Sequence, residues 1–184
     1  MELNKAIKER HSTRKFKAKK PSWKTIITCL ESMRYAPMAG NNLTLKLILV
    51  DDSEKIAKIA KACQQDFVGT AKYVVIVCSN PSLPANAYEE KSKDYIRQQA
   101  GAAIQNFLLK IQEAKLSTCW VGSFVEEQIK RELKIPASVQ VEAVFPIGYE
   151  LDKPNKKSKT DLDAFLYFNK YNNKKMKPRR KVDY

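Results

Sequence analysis

The stretch ERHSTRKF, residues 9–16, sets Arg10, Arg14, Lys15 and the chain's only histidine, His11, around a Ser-Thr pair. If this stretch is extended, Arg10, Ser12 and Arg14 project to the same side. Guanidinium forks match phosphate oxygens and a serine hydroxyl adds a neutral donor, so the pattern suits one compact anion. A solvated charged face is the plainer alternative, and these residues alone leave both open.

Other chemistries find little support. No GxGxxG follows a strand and no GxxxxGK[ST] occurs. With five glycines in the whole chain, a glycine-rich phosphate cradle is not available, and side chains must hold any phosphate. One histidine limits every Ser/His or Cys/His dyad to His11, no GxSxG surrounds a serine, and a His/carboxylate metal cluster lacks partners. Cys29, Cys63, Cys78 and Cys119 show no CxxC or zinc spacing and read as reduced core thiols. An enzyme built from this chain would therefore take its chemistry from a cofactor.

The elements that must position these residues follow from the apolar pattern. The 184 residues, 43% hydrophobic and 29% charged, fit one folded domain. Of the net charge of +14, the segment 153–184 supplies eleven Lys/Arg against three Asp, so over half of the excess is carboxy-terminal. That charge attracts polyanions weakly and names no function. No apolar run approaches membrane-spanning length and no signal-peptide core stands at the amino terminus, so a cytoplasmic protein is expected.

A short helix over 3–9 delivers the cation cluster. A helix over about 23–34 has Ser22 as its N-cap and Ile26, Ile27, Leu30 and Met33 on one face, and Pro37 ends it. LKLILV (45–50) predicts a strand, DDSEKIAKIAKAC a capped helix, and YVVIVC (73–78) a central strand buried on both faces. The longest helix is expected over about 86–115, with an apolar stripe from Ile96 to Ile111. A strand near 118–121, a helix near 125–134 and a half-buried strand over 139–148 (Val139, Val141, Ala143 and Phe145 inward) complete an α+β pattern. No repeat and no second-domain boundary is evident.

Four segments, in order, resemble one family. ERHSTRKF resembles the amino-terminal [RK]RxSxRxF signature of FMN-dependent nitroreductases, and YAPMAGNNLTLKLILV (35–50) their second signature, a loop running into a strand. GAAIQNFLLKIQEAKLSTCWVGSF (101–124) is similar to their GxAxQNLLLAAxxxGLGTCWxG segment. AVFPIGYE and the following KPNKKSKTDLDAFLYFNKY are similar to their closing pattern.

The resemblance implies an α+β sandwich with a central mixed β-sheet flanked by helices. It implies a single domain over 1–184, with the basic 153–184 segment reaching over the partner of an intertwined homodimer. FMN would sit at the subunit interface. By position, Arg10 and Ser12 would hold the FMN phosphate and ribityl chain with His11 beside them, and Arg14 would reach the pyrimidine edge of the ring. Lys157 and Lys159 match the basic pair that completes the phosphate site; the family more often has Arg at the second. From the other subunit, Pro37, Met38, Ala39 and Asn41 would pack on the ring, and Gln65 would approach it. Trp120, Val121 and Gly122 would line its opposite side, with a backbone N–H near Val121 facing N5. The long helix would lie in the dimer core on its Ala-rich face.

The chain departs from the family where Leu43-Thr44-Leu45 replaces QPW, and where Met38 and Ala39 replace a common Ser. The expected activity is ping-pong hydride transfer from NAD(P)H through flavin N5 to nitroaromatics, quinones or similar acceptors. No catalytic side chain and no metal are expected. The segment SNPSLPANAYEEKSKDY is expected to leave the pocket more open than a full lid would. Two alternatives stay open: a flavin-binding protein of the same fold with another reaction or a sensor role, and a basic nucleic-acid-binding protein, whose clue is the tail NKYNNKKMKPRRKVDY.

Overall fold

The computed structural model describes residues 1–80, 92–152 and 158–176. The chain divides into two compact units, Met1–Lys153 and Pro154–Tyr184. Among its described residues the first unit holds five helices and a four-stranded sheet. In chain order these are α1 (Leu3–Glu9), α2 (Trp23–Glu31), β1 (Leu45–Val50), α3 (Ser53–Cys63), β2 (Tyr73–Ser79), α4 (Ser92–Glu113), β3 (Ser117–Thr118), α5 (Glu126–Leu133) and β4 (Gln140–Gly148). In the second unit, the described residues form a short 3₁₀ turn at Leu162–Ala164, and Lys174 caps the carbonyls of Asp163 and Leu166.

The sheet order is β1-β2-β4-β3, so the two longest strands are central. A mixed sheet was the expectation; all three pairings among the described residues are antiparallel. Strand β2 is buried along its whole length, as a continuous β-branched run requires. Tyr73, Val75 and Val77 face α2 and α4, packing with Ile26, Leu30, Ile104 and Phe107. Val74, Ile76 and Cys78 face α3 and α5, packing with Ile56, Ile59, Cys63 and Ile129. Helices thus cover both faces of one sheet.

Strand β4 corrects the expected alternation. The register shifts between Val77/Cys78 and their partners Ala143 and Val141, which leaves Glu142 as an extra residue. Such a bulge reverses the side-chain parity. Ala143 and Phe145 therefore face α4, while Val139 and Val141 join the α3–α5 side with Val144. Burial on both faces follows from the central place of β4, which a local pattern does not encode.

Local signals account for the helix ends. Asp52 caps α3, its carboxylate accepting from the amides of Glu54 and Lys55, and the Lys55 amide above all holds it below the usual carboxylate range. Ser22 makes no side-chain cap to α2. That helix tightens into a 3₁₀ turn (Ser32–Tyr35) before extended Ala36, the geometry that Pro37 demands. Ile27, expected inward, is exposed beside Trp23. The apolar stripe of α4, with Ala100, Ala103, Ile104 and Phe107, packs on the chain's own sheet. The start of the expected long helix, and with it most of the expected lid, lies outside the described residues.

Candidate functional site

Residues 12–17 run as an extended ribbon between two anchors. On one side, the Thr13 amide donates to the Thr118 carbonyl of β3 at 2.9 Å. On the other, Leu151 N donates to Lys15 O (3.0 Å) and Lys17 N to Tyr149 O (2.8 Å), bracketing an antiparallel bridge between Phe16 and Glu150. Phe16 is buried over Gly148, where a Cβ would come within 2.8 Å of its ring. Thr13 and Phe16 point in; Ser12 and Arg14 are exposed, and Arg10 is half-buried at the end of α1. Ser12 and Arg14 flank buried Thr13, while Arg10 stands at the helix end rather than on the extended segment.

Charge at this ribbon is unbalanced by design of its contacts. Neither Arg10 nor Arg14 has a carboxylate partner among the described residues. The nearby acid, Glu150, turns inward instead. Its Oε1 lies 2.5 Å from His11 Nε2 and accepts from Thr13 Oγ1 at 3.0 Å, while His11 Nδ1 meets the Glu9 carbonyl at 2.7 Å. Lys15 pairs with Asp152 at the surface. Two guanidinium groups and a serine hydroxyl are left for an external anion, which is a donor set that fits a phosphate ester.

Two further groups meet this ribbon. Arg14 lies over the ring of Phe67, 5.8 Å from its centroid, on the 3₁₀ turn Asp66–Thr70. Half-buried Gln65, which precedes that turn, donates weakly to Cys63 O (3.5 Å). Beyond Thr118, the chain presents Cys119, Trp120, Val121 and Gly122. Trp120 is 43% exposed although its ring is 5.9 Å from that of buried Phe145. The amide of Val121 is committed to Val144 O at 3.0 Å, and Val144 N returns the bond. Next to it, the amide of Gly122 has no hydrogen-bond partner among the described residues.

The remaining expected residues belong to other segments. Exposed Pro37, half-buried Met38 and Ala39, and exposed Asn41 form a tight loop in which Gly40 (φ 58°) and Asn41 (φ 55°) both take left-handed backbone. Gln99 of α4 fixes the end of this loop through Thr44 Oγ1 (2.7 Å). Among the described residues the loop makes no hydrogen bond or ion pair to 10–16. Lys159 is exposed in the second unit, and Lys157 lies outside the described residues. A shallow groove lined by Trp23, Leu49, Asp51 and Tyr73 contains none of these residues. Glu150 is the participant that sequence reasoning missed; the signal available was a lone histidine needing an acceptor.

Among the described residues no group of His, Cys, Asp and Glu is arranged to hold a metal ion, and no helix is long and apolar enough to cross a membrane.

Comparison with known proteins points one way. The model of the nitroreductase family matches residues 7–67 and 60–149. A protein of Archaeoglobus fulgidus, provisionally named an NADH dehydrogenase/NAD(P)H nitroreductase, is 28% identical over 157 residues, covering 83% of this chain and 87% of its own. One of Methanothermobacter thermautotrophicus with the same name is 29% identical over 168 residues, covering 89% and 85%. A nitroreductase family protein from Clostridium novyi superposes with a TM-score of 0.77 at 25% identity, covering 94% of this chain and 96% of that one.

Proposed function

The chain belongs to the nitroreductase family, and on that premise we propose that it is an NAD(P)H-dependent FMN oxidoreductase. The names of its relatives support a nicotinamide reductant. An FMN-dependent nitroreductase from Clostridium difficile, 24% identical, and the Vibrio harveyi NADPH:FMN oxidoreductase, 20% identical, share its fold with TM-scores of 0.75 and 0.82. The observation that carries the reading is the pair of guanidiniums, Arg10 and Arg14, without a carboxylate partner among the described residues, on a ribbon that the Thr13 amide ties to the strand leading into Trp120 and Gly122.

Arg10 and Ser12 would hold the phosphate, and Arg14 would hold the pyrimidine edge, where a cation favours the negative charge that gathers on reduction. Trp120 and Val121 would wall one side of the ring. The Gly122 amide, which has no hydrogen-bond partner among the described residues, would face its N5. Pro37, Met38, Ala39 and Asn41 would close the other side from a second copy of the chain. That second copy has a surface to meet: Leu3 and Ile7 of α1 and Trp23 and Ile27 of α2 are all exposed. Bound FMN supplies the two-electron chemistry between NAD(P)H and a nitroaromatic, quinone or similar acceptor; the chain supplies binding, orientation and charge. One cavity serving both substrates in turn gives ping-pong kinetics, and the setting is the cytoplasm.

The test is the visible spectrum of the purified protein before and after anaerobic NADH or NADPH. Flavin bands that bleach support the reading. Bands that persist reduce it to flavin binding, and a colourless protein that takes up no added FMN overturns it.

A further inference from the structure

We propose that Glu150 is a positioning residue for the anion-binding ribbon, setting Arg10 and Ser12 through His11 and Thr13. The proposal rests on the FMN reading above and names how this chain builds its phosphate end.

The hydrogen bonds of the ribbon fall into two sets. From residue 13 onward the backbone is tethered at Thr13, Lys15 and Lys17 to β3 and to the 149–151 segment. Before residue 13 the tethers are local: Arg10 N donates to Ala6 O, and His11 Nδ1 meets Glu9 O. Among the described residues, the one long-range hydrogen bond to residues 10–12 is that of His11 Nε2 to Glu150 Oε1, across 139 positions of sequence. The same oxygen accepts from Thr13. One carboxylate oxygen therefore joins the loosely held half of the ribbon to the firmly held half. Glu150 is only 17% exposed at its side chain, and its own backbone is fixed opposite Phe16 by the bridge. It is a rigid post.

Ser12 lies between the two residues this post grips. Freed from it, residues 10–12 would keep only the end of a seven-residue helix as support, and their donors would have to be ordered anew for each anion bound. The sign of the effect separates this role from plain electrostatics. Removing a carboxylate from beside a phosphate site can, by charge alone, leave anion binding unchanged or tighten it. Loss of positioning weakens it.

The experiment titrates flavin-free protein with FMN and with riboflavin, which lacks the phosphate, following flavin fluorescence. For Glu150→Ala, FMN should bind about tenfold more weakly, the size of one misplaced charge-assisted hydrogen bond, while riboflavin stays within about twofold. Glu150→Gln, which keeps the shape and an acceptor oxygen for Thr13, should lose less, in the same direction, and serves if the alanine variant does not fold. Adding His11→Ala to Glu150→Ala should cost little more, because the two act as one unit. Unchanged or tighter FMN binding in both variants overturns the proposal. So does an equal loss for both flavins, which would mean general damage. A wild-type protein that binds neither flavin instead removes the FMN reading itself.

Discussion

Thr13 donates its backbone N–H to the carbonyl of Thr118 at 2.9 Å, and this bond joins the two ends of the candidate site. On one side of it lie Arg10, Ser12 and Arg14; on the other the chain continues through Cys119 to Trp120 and Gly122. A flavin mononucleotide needs both ends, one for its phosphate and one for its ring.

The first consequence concerns Arg10. A guanidinium with no carboxylate partner among the described residues can form charge-assisted hydrogen bonds to an anion, each worth about 1.5–3 kcal/mol. Arg10→Ala should therefore weaken FMN binding about 10- to 100-fold and leave riboflavin nearly unchanged. Equal affinity of the variant and the wild type for FMN, in the same fluorescence titration, would place the phosphate elsewhere.

Gly148 tests the ribbon's seat. A methyl group there would stand 2.8 Å from a ring carbon of Phe16 and 3.2 Å from its Cβ. Because Phe16 is itself fixed by the bridge to Glu150, Gly148→Ala should cost about 1–3 kcal/mol of stability. A chemical denaturation midpoint equal to that of the wild type would show that Phe16 can move aside.

Phe145 links the core to the site, its ring 5.5 Å from Phe107 and 5.9 Å from Trp120. Phe145→Ala should destabilise the fold by about 3–5 kcal/mol. It should also shift the tryptophan emission, which Trp120 shares only with Trp23. A shift that persists in Trp120→Phe would assign the change to Trp23 and break the link.

Burial pushes the thiols of Cys29, Cys63 and Cys78 up to about 11 from 9.0. The folded state therefore favours their neutral form. That contribution is complete below pH 9 and is lost as the pH rises from 9 through 11, where the unfolded chain ionises first. Urea midpoints should fall across that window, and Cys63→Ala should fall less steeply. A midpoint equally steep in the variant would attribute the decline to other groups. At pH 7 the three thiols should resist alkylation until the protein unfolds.

Trp23 is 53% exposed beside Ile27. If a second copy covers this face, light scattering will give the mass of two chains, and Trp23→Lys will yield monomers that hold FMN poorly. A wild-type monomer that retains FMN would contradict the shared site.

Much of this was legible in the sequence where the cause is local. Asp52 before an apolar period announces α3, and YVVIVC announces a strand covered on both sides. The exposed alternation of Ser12 and Arg14 follows from an extended segment. What was not legible depends on partners distant in sequence. The bulge at Glu142 that moves Val141 to the other face comes from pairing with β2. The Val121 amide is lost to Val144, and Glu150 is recruited by a histidine far away in the chain. The α4 stripe was correctly found, but a stripe does not say whether its own sheet or a second chain will cover it.

The ribbon's tethers have a temporal side. Contacts that span most of the chain close large loops, and such closure comes late in folding. The Thr13 amide has no partner until Thr118 exists, and His11 Nε2 and the bridge at Phe16 have none until Glu150 does. During synthesis from the amino terminus, the cation cluster is made first and completed last. On the proposed reading, FMN would meet its site only once the sheet has closed, and would lock that fold rather than template it.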